Sequence, residues 1–180
     1  AISFRNDVQP VLAKLGCNSG ACHGALAGKG GFRLSLRGFD PAADHFNIAK
    51  QARGRRIELQ APAKSLFLTK PTGAVSHKGG VRFDVDSESY RILSRGIAEG
   101  AIGPKDSDPV ISKVEVQPSQ LSVKVGEKNQ LTVKAHYSNG ITRDVTQWAK
   151  FTSTDETIAK VEKDGRFEVI GFGEGAITVW

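Results

Sequence analysis

The spacing of apolar positions changes period once along the chain. Val8, Val11, Leu12 and Leu15 recur at i, i+3, i+4 and i+7, which is one face of a helix. Asn6 or Asp7 can cap that helix, Pro10 lies in its first turn, and Gly16 can end it. Phe32, Leu34 and Leu36 alternate with Arg33, Ser35 and Arg37, predicting a short extended piece. Asp40-Pro41 opens a second helix expected to reach about Ala52. Arg56 to Leu59 reads as extended, and Ala63 to Lys70 as a short helix stopped at Pro71. A glycine-rich loop, residues 73–80, precedes a helix capped by Asp86 or Ser87. Tyr90, Leu93 and Ile97 form its apolar stripe, and Gly100 ends it. Gly96 inside it costs about 1 kcal/mol against Ala. A close crossing with the first helix would offset that cost.

From Val114 onward the period is two. Val114/Val116, Leu121/Val123/Val125 and Leu131/Val133/Ala135/Tyr137 are successive alternating runs. Asn139-Gly140 and Asp164-Gly165 are hairpin signals. Short strands separated by frequent turns predict a β-sandwich. Between the two patterns lies a polar stretch with two prolines, read as a linker. The expected fold class is therefore a two-domain α + β chain. Residues 1–103 are mainly α, residues 104–110 form the linker, and residues 111–180 form the all-β sandwich.

Charge adds one asymmetry. Residues 1–110 hold 16 Lys and Arg against 10 Asp and Glu, and residues 111–180 hold nine of each. No basic run exceeds Arg55-Arg56 and no aromatics interleave with the cations, so nucleic acid is not an expected partner. No stretch approaches the roughly 20 apolar residues of a membrane span. No leader is visible at Ala1, and the last residues read as strand. We therefore expect a processed, exported protein with further domains.

The chemistry concentrates in Cys17-Asn18-Ser19-Gly20-Ala21-Cys22-His23, a C-x4-C-H motif. Covalent haem attachment needs two thiols that reach one porphyrin and a His placed to bind its iron. The common spacing is C-x-x-C-H. The two extra residues lengthen the loop without separating Cys22 from His23. The spacing also permits a Cys17–Cys22 disulfide. Zinc would need four ligands, and only two Cys exist. Met is absent, so a second axial ligand would come from another side chain. His77, in its glycine-flanked loop, is the first candidate. His45, Lys70 and Lys78 are alternatives, as is an open site. His136 reads as a solvent-facing strand residue. Arg55, Arg56 and Arg82 are candidate partners for haem propionates.

Several stretches carry a family resemblance. They are residues 17–24, Leu34 to Asp40 (LSLRGFD), Gly54-Arg55-Arg56, Ser65 to Gly73 (SLFLTKPTG), and His77 with Gly79-Gly80-Val81-Arg82. On these, Phe4 to Ala101 resembles the planctomycete-type cytochrome c domain. Val114 to Gly126, Tyr137 to Gly140, Asp144-Val145-Thr146 and Gly171 to Val179 (GFGEGAITV) resemble a bacterial Ig-like domain of group 2. The first resemblance implies one covalent haem c, with Cys17 and Cys22 attached and His23 as proximal ligand. It also implies single-electron transfer with a redox partner not readable here, and export to the periplasm or cell surface. Lys78 departs from the His-Gly-Gly-Gly run of that family. The second resemblance implies a structural or adhesive spacer. A five-coordinate haem sensor or peroxidase-like site, or a surface protein served mainly by the Ig-like part, stands as the alternative.

Overall fold

The computed structural model describes residues 1–180. The chain divides into two compact units, Ala1–Asp108 and Pro109–Trp180.

The first unit is helical. A π-helical turn, Phe4–Val8, runs directly into α1 (Gln9–Lys14). Its cap is Ser3, not Asn6 or Asp7. The Ser3 hydroxyl accepts from the Asn6 N–H at 3.2 Å, and the Asp7 carboxylate accepts from the Ser3 N–H at 2.8 Å. This reciprocal arrangement satisfies two backbone donors at the helix start. Val8, Val11 and Leu12 are buried, as their spacing required.

The next helix, α2 (Pro41–Ala49), is capped by Asp40, whose side chain accepts from the Ala43 N–H at 2.9 Å. It ends earlier than expected. Ala52 and Arg53 adopt left-handed backbone conformations, with φ of 55° and 60°, which a continuing helix cannot contain. The segment Arg56 to Leu59 is irregular rather than strand. After a turn at Pro62–Lys64 comes the single-turn α3 (Leu66–Thr69), stopping just before Pro71.

The last helix, α4 (Glu88–Ala98), is capped by the Ser87 hydroxyl, which accepts from the Tyr90 N–H. Leu93 and Ile97 are buried. At Gly96 a Cβ would lie 3.2 Å from Ile2 Cγ2 and 3.7 Å from Val8 Cγ2, so the missing side chain admits the N-terminal helix to close contact.

One buried carboxylate ties three segments together. Asp44 on α2 has no exposed surface. It accepts from Gln9 Nε2 at 2.8 Å, from the Ser35 hydroxyl at 2.8 Å and from the Ser35 N–H. Leu34, next to Ser35 and almost fully buried, donates its N–H to the His23 carbonyl at 2.8 Å. Asp44 thus fixes the floor beneath the C-x4-C-H loop.

The second unit consists of antiparallel strands β1 (Ile111–Gln117), β2 (Lys128–Gln130), β3 (Thr132–Tyr137), β4 (Thr142–Asp144), β5 (Phe151–Ser153), β6 (Ala159–Val161), β7 (Arg166–Val169) and β8 (Ile177–Val179). They form ladders in the orders β1-β3-β4, β2-β7-β6 and β5-β8. Val133, Ala135 and Tyr137 of β3 face inward, as their alternation predicts. Leu131, Phe167 and Val169 form a core on which Val116, Val123, Phe151, Val161, Ile177 and Val179 pack, so residues of all three sheets converge on it. Asn139-Gly140 turns β3 into β4 and Asp164-Gly165 turns β6 into β7. The run Leu121 to Val125 joins no ladder. Only Val123 packs on the core, while Leu121 and Val125 are exposed.

Candidate functional site

The C-x4-C-H loop follows directly from α1. Cys17 N–H donates to the Leu12 carbonyl at 2.9 Å, so the first Cys is still tied to the helix. The loop then closes on itself. Ser19 N–H reaches the Gly16 carbonyl, Cys22 N–H reaches the Ser19 carbonyl at 2.9 Å, and His23 N–H reaches the Cys17 carbonyl at 3.0 Å. Asn18 is buried inside the turn, and its carbonyl accepts from Arg37 N–H at 3.0 Å. The four intervening residues are thus a hydrogen-bonded coil that brings His23 back beside Cys17.

Both thiols are free. Burial pushes the Cys17 thiol up to about 11, with Arg82 partly opposing, so it stays protonated at neutral pH. Arg82 Nη2 donates to Cys22 Sγ at 3.3 Å. Arg82 therefore stands at the thiol end of the site.

His23 and His77 are brought together. Their ring centroids lie 6.3 Å apart, with planes only 14° from parallel. Each ring is held through Nδ1 by a backbone carbonyl: His23 by Phe32 at 3.0 Å and His77 by Gly80 at 2.9 Å. A carbonyl only accepts, so each Nδ1 is the donor in its contact. Burial lowers the pKa of His23. The Phe32 carbonyl works against this, and His77 and Arg56 add to the lowering. His23 is therefore a neutral imidazole at pH 7.

The loop carrying His77 is itself constrained. Val75 N–H donates to the Thr69 carbonyl, Arg82 N–H to the Pro71 carbonyl at 2.7 Å, and Lys70 Nζ to the Ser76 carbonyl at 3.1 Å. At Gly79 a Cβ would stand 2.8 Å from His77 Cε1 and 3.3 Å from Arg82 Nη2, so any side chain there would push the ring. Lys78 is exposed, which is why a long side chain fits at that position of the turn.

The other expected residues fall elsewhere. His45 Nε2 donates to the Ala101 carbonyl at 2.7 Å and its ring meets Phe4 edge-on at 5.3 Å. It lines a small apolar pocket with Val8, Ile48, Leu93 and Ile97, and acts as a core strut. His136 bridges Glu115 and Thr142 on the second unit. Arg55 is exposed. Arg56 has different partners from those expected. It is 6% exposed and donates to the carbonyls of Asn47, Gln51 and Gly31, so its guanidinium is engaged with backbone rather than open to a carboxylate. No three His, Cys, Asp or Glu side chains converge as a metal-binding group, which leaves zinc without a ligand set. No helix is long and apolar enough to cross a membrane.

The strand ladders of the second unit coincide with a known family. Residues 110–180 match the bacterial Ig-like domain (group 2). The match covers the second unit and says nothing of residues 1–109. No curated protein matches the chain at a significant level.

Proposed function

We propose that the first unit is a c-type haem module and that it transfers single electrons. The observation that carries this reading is the His23–His77 pair. The two rings lie near-parallel with centroids 6.3 Å apart, close enough for both to hold one metal ion. A metal-binding imidazole is commonly oriented by a hydrogen bond from its other ring nitrogen to a carbonyl, and both rings have such a bond through Nδ1. The exposed apolar residues Leu26, Val75 and Val81 lie within four residues of one or other imidazole. Exposed apolar side chains near such residues are consistent with a flat, largely apolar cofactor.

Haem bound here would supply a one-electron ferric–ferrous couple. Cys17 and Cys22 would anchor it covalently through their thiols. His23 and His77 would hold the iron, leaving little room for exogenous ligands. Two imidazoles, with no Met in the chain, favour a lower potential than a His/Met pair. Arg82 is not a propionate partner in this reading, because it sits at the thiols. The Ig-like unit would serve as a spacer. Domains of that family occur in bacterial surface and exported proteins, which agrees with export to an oxidising compartment.

The test is the intact mass of protein made with cytochrome maturation machinery. An added mass of one haem that survives acidic acetone is expected. Loss of two protons without that mass would identify the disulfide instead. The loaded protein should be low-spin and inert to carbon monoxide, and His77→Ala should turn it high-spin.

A further inference from the structure

Arg56 lies behind the proposed iron ligand, with Phe32 between them. Its guanidinium carbon is 4.6 Å from the Phe32 ring centroid. The Phe32 ring in turn lies 4.6 Å from that of His23, tilted by 51°. The Phe32 carbonyl is the atom that accepts the His23 Nδ1 proton. Arg56 also holds this loop from behind, because Nη2 donates to the carbonyl of Gly31, the residue before Phe32, at 2.9 Å. Nη1 is fixed by Asn47 at 3.0 Å, with Gln51 at 3.4 Å. A planar fork that bonds carbonyls at both tips and lies on a ring is a task for Arg, not for Lys.

We infer that Arg56 is the positioning residue for His23, acting through Phe32 and setting a permanent positive charge one ring away from the iron ligand. The inference rests on the haem reading of the site. It deepens that reading by naming what orients the proximal imidazole and what tunes its iron. A buried cation near the metal opposes the more positive ferric state, so it raises the reduction potential. Hydrogen-bond partners of a ligating His also fix its tautomer and ring orientation.

The experiment uses the full chain carrying haem, with Arg56→Gln, Arg56→Lys and, as a control for net charge, the exposed Arg53→Gln. The readout is the midpoint potential by spectroelectrochemical titration. Arg56→Gln should shift it downward, and Arg53→Gln should leave it near wild type. Arg56→Lys keeps the charge and should retain most of the wild-type potential while broadening the low-spin signal. Equal potentials for Arg56→Gln and Arg53→Gln would overturn the inference. Should Arg56→Gln fail to fold, Phe32→Leu keeps the cation and removes the ring. It should lower the low-spin fraction, and an unchanged spectrum overturns the inference equally. A wild-type chain without haem defeats the haem reading, not the column formed by Arg56, Phe32 and His23. In that case nitrogen NMR of His23 in the metal-free protein is decisive. A single Nδ1–H tautomer in wild type that becomes mixed in Arg56→Gln supports the column, and an unaltered tautomer refutes it.

Discussion

Asp44 shows how much of the site depends on a residue with no chemistry of its own there. It is fully buried, and its acceptors are used by Gln9 and by both donors of Ser35. Asp44→Asn keeps the shape but turns one acceptor into a donor facing donors. It should destabilise the first unit by about 1–3 kcal/mol, read as a lower denaturant midpoint with unchanged slope. A change below about 0.5 kcal/mol, the range of an ordinary surface substitution, would sink this account. Gly79 and Lys78 make a matched pair. Gly79→Ala places a methyl against the His77 ring and should move the haem-loaded spectrum toward high spin. Lys78→Gly removes only an exposed side chain and should leave the spectrum alone. Cys17, Cys22 and His23 stand out in the sequence because they share one short motif, whereas His77 stands out only as a histidine in a glycine-flanked loop far along the chain. The role of Asp44 and the partners of Arg56 do not, because both residues join segments through contacts no local pattern signals, the longest spanning 35 and 25 residues.

Elements were legible where the pattern was long, and their ends were not. The first helix was visible in Val8, Val11 and Leu12, but its cap lies at Ser3. Asp7, which reads as a cap by type, instead reaches back to the Ser3 N–H. The end of α2 is set by left-handed Ala52 and Arg53, residue types that carry no stop signal. Leu121 to Val125 alternates like a strand, yet alternation reports only which side is apolar, and a ladder also needs a neighbour. Where the sequence named a neighbour, the expectation held: Gly96 meets Ile2 and Val8 across the first helix. Gly96→Ala should gain about 1 kcal/mol of helix propensity against a mild contact with Ile2 Cγ2, for a net change near zero. Gly96→Leu should overpack the crossing and cost about 1–3 kcal/mol. Thermal melts of the two variants distinguish a close crossing from a merely tolerated glycine. Equal melting temperatures would argue against close packing at Gly96.

At the scale of the molecule, each unit contains its own means of staying folded. All three strand ladders and their shared core lie within Pro109–Trp180, so a fragment of residues 109–180 should fold alone and carry no haem. Its acid sensitivity follows from its turns. Hydrogen bonds from the Thr146 hydroxyl and N–H hold the Asp144 carboxyl below its usual range. The Thr157 hydroxyl and N–H do the same for Asp155, the Arg166 N–H for Asp164, and Lys113 then His136 for Glu115. A carboxylate whose folded pKa is depressed contributes stability above its unfolded pKa, and that contribution fades as pH falls through the folded value. The melting temperature of the fragment should therefore be flat above about pH 5 and decline below about pH 4, the ordinary carboxylate range. These carboxylates are solvent-facing, so added salt should weaken the Glu115 pairing with Lys113 more than the Asp144 and Asp155 turns, whose donors are uncharged. Thr146→Ala removes the first-named partner of Asp144, and it also leaves the Val133 N–H without the hydroxyl that accepts it at 2.8 Å. That variant should melt lower than the parent at pH 7 and show a shallower decline between pH 4 and pH 2. A decline as steep as the parent's would mean that Asp144 is not among the groups whose protonation unfolds this unit.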